Sequence, residues 1–89
     1  MKITKRNGNI VFYDDEKVIN SIMRANEGTD EPLTPRQAEF LADAVLGHLI
    51  KDHAIVTTQM ISEGVYAALN ERELWLTAKR YKEFKKEGK

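Results

Sequence analysis

Apolar and polar residues alternate along Lys2-Ile3-Thr4-Lys5-Arg6 and again along Asn9-Ile10-Val11-Phe12-Tyr13, a period of two that predicts two short strands. Between them stands Asn7-Gly8, and because both residues tolerate positive φ the pair predicts a β-hairpin. With a two-residue loop, Arg6 faces Asn9, Lys5 faces Ile10 and Ile3 faces Phe12. Ile3, Lys5, Ile10 and Phe12 then share one face, and Thr4, Arg6, Val11 and Tyr13 share the other. The more apolar face therefore carries a lysine. A buried ammonium without a partner costs several kcal/mol or loses its proton, so Lys5 requires either an edge position or an anion.

The period then lengthens to that of a helix. Asp14 or Asp15 is a suitable N-cap for a first helix from Asp15 to about Asn26, with Val18, Ile19, Ile22 and Met23 as its apolar stripe. Gly28 ends it, and the polar stretch from Glu27 to Leu33 reads as a mobile surface loop. Thr34-Pro35-Arg36-Gln37 is a capping box with proline in the first helical position. The helix it opens carries Ala38, Leu41, Ala42, Val45, Leu46, Leu49 and Ile50 on a wide stripe, suited to packing on two neighbours. Ala54-Ile55-Val56-Thr57 is short and β-branched, which predicts a third strand on the edge of the hairpin. Thr57 or Thr58 caps a third helix with Met60, Ile61, Val65, Ala68 and Leu69. Leu74, Ala78, Tyr81 and Phe84 follow a different line, so a break is expected between Asn70 and Glu73, with a fourth helix beyond it.

The elements amount to a single α+β domain over residues 1–89, a four-helix bundle capped by a small three-stranded sheet containing the N-terminal β-hairpin. At 89 residues the chain can build one core but not a core with a deep catalytic cleft. It has no cysteine, which excludes disulfides, thiolate metal sites and a cysteine nucleophile. No apolar run approaches the roughly 18 residues of a membrane helix, so the expected setting is soluble and cytoplasmic. Fourteen basic residues balance fourteen acidic ones, which leaves no long-range field, so any anion site must be local.

Most catalytic chemistry is unsupported. The five glycines are scattered and form neither a Walker-type nor a dinucleotide loop. His48 and His53 have no third ligand at recognisable spacing, so they read as surface or capping residues and no metal site is expected. Ser21 and Ser62 lie inside predicted helices without a patterned histidine. Glu16 with Lys17, and Glu71 with Glu73, read as exposed charges. The basic run Lys79 to Lys86 suits a helix C-terminus, and it leaves a nucleic-acid-binding module as the alternative from another class.

The remaining chemistry gathers at the hairpin. Lys17 falls in the first turn of a helix, where the backbone dipole disfavours a cation by about 0.3 to 1 kcal/mol unless an anion sits there. Lys5, Arg6 and Lys17 near free helical N–H groups form the outline of a phosphate site. The pattern Ile3-Thr4-Lys5-Arg6-Asn7-Gly8, then Phe12, Asp14 and Glu16-Lys17-Val18, then Ile55-Val56-Thr57 and Ala78-Lys79-Arg80-Tyr81, resembles the ATP-cone domain. That domain is the nucleotide-sensing module at the N-terminus of many ribonucleotide reductases, and it also occurs in the repressor of their genes.

The resemblance covers about residues 2 to 86 and implies ATP or dATP as effector, with magnesium as counter-ion. It implies that Ile3, Lys5, Arg6, Lys17 and Thr57 contact the nucleotide and that Val11 and Asp14 line the same pocket. Asn7 replaces the more usual aspartate of the turn, and Ile61 stands where some members carry a polar residue that contacts base or ribose. The repressor's four-cysteine zinc ribbon has no counterpart in the sequence. Its absence argues for a reductase origin or a free-standing cone. The implied partners are the catalytic domain or subunits of a ribonucleotide reductase, first of all the anaerobic ribonucleoside-triphosphate reductase, whose activity this non-catalytic domain would control through nucleotide-dependent assembly. A cone with a vestigial site that acts only in protein–protein contacts is a further alternative.

Overall fold

The computed structural model describes residues 2–5 and 7–87, with side chains through residue 85. Two strands, β1 (Lys2–Thr4) and β2 (Ile10–Phe12), precede four helices, α1 (Asp15–Asn26), α2 (Pro35–Asp52), α3 (Thr58–Glu71) and α4 (Trp75–Glu87). Arg6 lies outside the described residues.

The strands pair antiparallel with Lys2 opposite Phe12, Ile3 opposite Val11 and Thr4 opposite Ile10. This register differs by one residue from the expected one. The Lys5 N–H donates to the Asn9 carbonyl at 2.7 Å and the Gly8 N–H to the Lys5 carbonyl at 2.9 Å, so three residues separate the paired ends instead of two. Gly8 has φ +88°, the left-handed conformation that closes a three-residue hairpin loop, and the Asn7 side chain accepts from the Asn9 N–H. A one-residue slip moves one strand's side chains to the opposite face. Ile3, Lys5, Val11 and Tyr13 now share the inner side, while Lys2, Thr4, Ile10 and Phe12 share the outer one. A Cβ at Gly8 would meet no neighbour, so only its backbone conformation resists substitution. Gly8→Ala is expected to cost about 1 kcal/mol, measured as a lowered denaturation midpoint with unchanged m-value.

The expected third strand is not formed. Residues 54–57 make one isolated parallel bridge, Thr57 to Thr4, with the Thr4 N–H donating to the Val56 carbonyl at 3.0 Å, and the sheet has two strands. The cause is local: Thr57 is the N-cap of α3, its hydroxyl accepting from the Met60 N–H at 3.1 Å, and the chain must turn into the helix at that point.

Helices pack in a ring, α1 against α2 and α4, and α3 against α2 and α4. Their apolar stripes supply the core: Ile22 and Ala25, then Ala38, Leu41, Ala42 and Val45, then Ile61, Val65 and Leu69, then Ala78 and Tyr81 beside Leu74, with Ile3 reaching in from β1. Thr34 and Gln37 form the reciprocal capping box of α2. The break after α3 falls where the stripe changes phase, and Glu73 there takes φ 63°. His53 caps the end of α2, its ring nitrogen 3.2 Å from the Leu49 carbonyl.

The loop after α1 is tied down, contrary to the expectation of mobility. α4 begins after Leu74, which has no side-chain acceptor, and Glu31 supplies one from a distance. Its carboxylate accepts from the Leu76 N–H at 2.9 Å, and from the N–H and hydroxyl of Thr77, both at 2.7 Å. Asn26 completes the link, donating to the Thr77 hydroxyl and the Glu31 carbonyl, each at 3.0 Å.

Candidate functional site

The corrected register brings Ile3 and Val11 directly opposite each other on the inner side of the hairpin. Ile3 is buried and Val11 half-buried. Lys5 follows two residues after Ile3, on the same side, at the mouth of the hairpin, and it is exposed. Lys5 therefore does not require an anion to offset burial, since it does not lie among Ile10 and Phe12 and is exposed to water.

From the other strand, Tyr13 and Asp14 lead into α1. The Asp14 carboxylate accepts from the N–H groups of Glu16 at 3.1 Å and Lys17 at 3.4 Å. These first-turn donors, expected to be free for a phosphate, are already capped by a carboxylate. The Lys17 side chain itself is exposed in the first turn. Thr57 closes the group from the α3 side, bridging to Thr4 next to Ile3. Ile3, Val11 and Thr57 are thus assembled around β1, and Asp14 and Lys17 around the start of α1.

A cluster that the sequence reading passed over lies beside them. The Tyr13 hydroxyl donates to Asp15 at 3.0 Å, and Asp15, Glu39 and Asp43 hold carboxylate oxygens within 4.8 Å of one another. Burial, the hydrogen bond to Asp15 and the charges of Asp15 and Asp43 push the Tyr13 hydroxyl's pKa far up. Local desolvation, the charge and hydrogen bond of Asp15 and the charge of Glu39 raise the pKa of the exposed Asp43 from its ordinary value. With the corrected parity, Tyr13 falls on the inner side and so toward α1 and α2, a signal that the two-residue loop concealed. These groups make the α1–α2 junction locally acidic.

Three further positions singled out in the sequence are structural. Ile61 is 5% exposed and part of the core, so this position contributes packing and no polar contact. Ala78 and Tyr81 are buried, and burial raises the tyrosine hydroxyl's pKa against the lowering effect of its hydrogen bond with Ser62.

The family model of the ATP cone domain matches residues 1–88. The chain belongs to the ATP-cone family. It is a nucleotide-sensing regulatory domain of the kind that binds ATP and dATP as effectors. A comparison with individually curated proteins gives no match. Among the described residues of this cone, no helix is long and apolar enough to cross a membrane.

Proposed function

We propose that the cone binds ATP or dATP on the inner side of the hairpin, with Lys5, Arg6 and Lys17 neutralising the triphosphate and its magnesium ion. Ile3 and Val11 form the apolar floor for the nucleoside, and Thr57 and Asp14 border it from the starts of α3 and α1. The observation that carries this reading is the register, which sets Ile3 against Val11 and puts Lys5 on the same side. The chemistry of the set suits the ligand: cations for the phosphates, aliphatic surface for the base, and a threonine hydroxyl for a polar edge. The parent is proposed to be a ribonucleotide reductase, the anaerobic enzyme first, with the cone at its N-terminus. The nucleotide bound selects between assembly states, which requires that ATP and dATP, differing only in the ribose 2′-hydroxyl, bind those states with different relative affinities.

Thermal melting with ATP, dATP, GTP and AMP tests the site. At about 100 times its dissociation constant a nucleotide adds about 2.7 kcal/mol of stability, and a domain of this size then melts roughly 10 to 20 °C higher. Lys5→Ala and Lys17→Ala each remove a charged contact worth about 1.5 to 3 kcal/mol, so each is expected to weaken ATP binding about tenfold or more. Equal shifts in wild type and both variants would show that the triphosphate lies elsewhere.

A further inference from the structure

The outer edge of the hairpin is built differently from its inner side. The Lys5 N–H bonds to the Asn9 carbonyl, and hydrogen-bonded pairs alternate along an antiparallel ladder, so the next such pair is Ile3 with Val11. Thr4, between them, turns its N–H the other way, to Val56. The main-chain N–H and C=O groups of its partner Ile10, and those of Phe12, must then point away from β1. Among the described residues β2 pairs with β1 alone, and that row of donors and acceptors has no strand beside it.

Apart from its length of three residues, nothing in the strand guards this edge. Proteins usually protect a free edge with lysine, proline or a bulge, and β2 is Ile10-Val11-Phe12 throughout. Ile10 is 67% exposed and Phe12 73% exposed, both on the outer face. The pattern is its own complement. An antiparallel neighbour of the same sequence, centred on Val11, sets Ile10 of each copy opposite Phe12 of the other. Those two pairs are hydrogen-bonded ones, so every outward-pointing group of Ile10 and Phe12 finds a partner. Their side chains meet as two aromatic and β-branched cross-strand pairs, the kind that stabilises sheets.

Charge does not oppose the arrangement. The chain has no net charge, and Lys2, whose ammonium lies 6.0 Å from the Phe12 ring centroid, sits on the far strand of each hairpin. The two Lys2 strands would be three spacings apart, about 14 Å, which exceeds the roughly 8 Å Debye length at physiological salt.

We infer that two copies of this chain associate through the free edge of β2, antiparallel about Val11, to make one continuous four-stranded sheet. The pairing is independent of nucleotide and holds whether or not the proposed nucleotide site is correct. Its short strands make a weak dimer, formed at high concentration or where a parent protein brings two cones together.

Sedimentation equilibrium from about 10 μM to about 1 mM, combined with amide exchange by NMR, tests it without nucleotide. The expected result is a monomer–dimer equilibrium in which the Ile10 and Phe12 amides gain protection as concentration rises, while the Thr4 amide does not. Phe12→Lys and Ile10→Lys change exposed outer side chains, so each should melt near wild type and weaken dimerisation about tenfold or more. A chain that stays monomeric at the highest concentration overturns the inference. So does a dimer that persists unchanged in both variants, or one in which the Ile10 and Phe12 amides exchange as in the monomer.

Discussion

Glu31→Ala is expected to lower the stability of the domain by about 2 to 3 kcal/mol, the sum of a lost helix cap and a buried hydroxyl deprived of its charged partner. The start of α4 depends on this one carboxylate. It accepts from Leu76 and Thr77 across 45 and 46 residues of sequence, and Thr77 is fully buried, so water cannot replace it without opening the packing. For a domain of this size the loss corresponds to roughly 10 to 20 °C in melting temperature. Glu31→Gln keeps one acceptor oxygen and should lose about half as much.

The same group gives the stability a pH dependence with a definite sign. Burial acts to raise the Glu31 pKa, but the hydrogen bonds from the Thr77 hydroxyl and the Leu76 and Thr77 N–H groups outweigh it and hold the carboxyl below its ordinary value of 4.5. A lowered folded-state pKa means that the contribution is present in full above the ordinary carboxylate value and disappears as pH falls through the folded one. Melting temperatures of wild type and Glu31→Ala should therefore converge on acidification below about pH 4.5. A gap that stays constant into that range would show that the carboxylate's charge is not what holds α4.

The second large effect lies where α2 crosses α3. A Cβ built on Gly64 falls 2.6 Å from Cγ1 of Val45 and 3.8 Å from its Cβ. Placing alanine in the middle of a helix normally gains about 1 kcal/mol over glycine. Here the contact reverses the sign, because valine on a helix is held in one χ1 rotamer and cannot swing aside. Gly64→Ala is expected to cost about 1 to 3 kcal/mol, and Gly64→Leu more. Val45→Ala, which on its own removes buried methyl groups, should partly rescue Gly64→Ala, and a double-mutant cycle in urea measures that coupling. Additive losses would mean that the helices separate freely at this crossing.

Helix limits were legible because their signals are local. Asp14, the Thr34 box and Thr57 each cap the helix that their sequence position announces, and the change of phase between Leu69 and Leu74 marks the last break. The hairpin was legible as a hairpin but not in register, since Asn-Gly fits either a two-residue or a three-residue loop and only the bond from Gly8 to Lys5 distinguishes them. That single residue decided whether Ile3 and Lys5 lay with Ile10 and Phe12 or with Val11 and Tyr13. Ile55-Val56-Thr57 resembled a strand by composition, yet the cap at Thr57 turns the chain after one bridge. Glu31 was illegible, because a polar loop residue that caps a helix 45 positions later leaves no periodic trace. Of the proposed site, Lys5 and Lys17 stand out in the sequence by residue type and Thr57 by resemblance, while the acidic neighbours Asp15, Glu39 and Asp43 come from two helices and are joined only by folding.

Among the described residues, the hairpin is moored to the helical body on the α3 side by one main-chain bond, Thr4 to Val56, with the Ile3 side chain as its anchor beneath. Such an attachment works as a pivot more than a weld. On the other side the inward Val11 and Tyr13 pack against the core and the Tyr13 hydroxyl holds Asp15, so a load on the two strands falls first on the Thr4 donor. A nucleotide bound as proposed would bear on this mooring first, and anything seated on the hairpin's outer rim would feel the load through it.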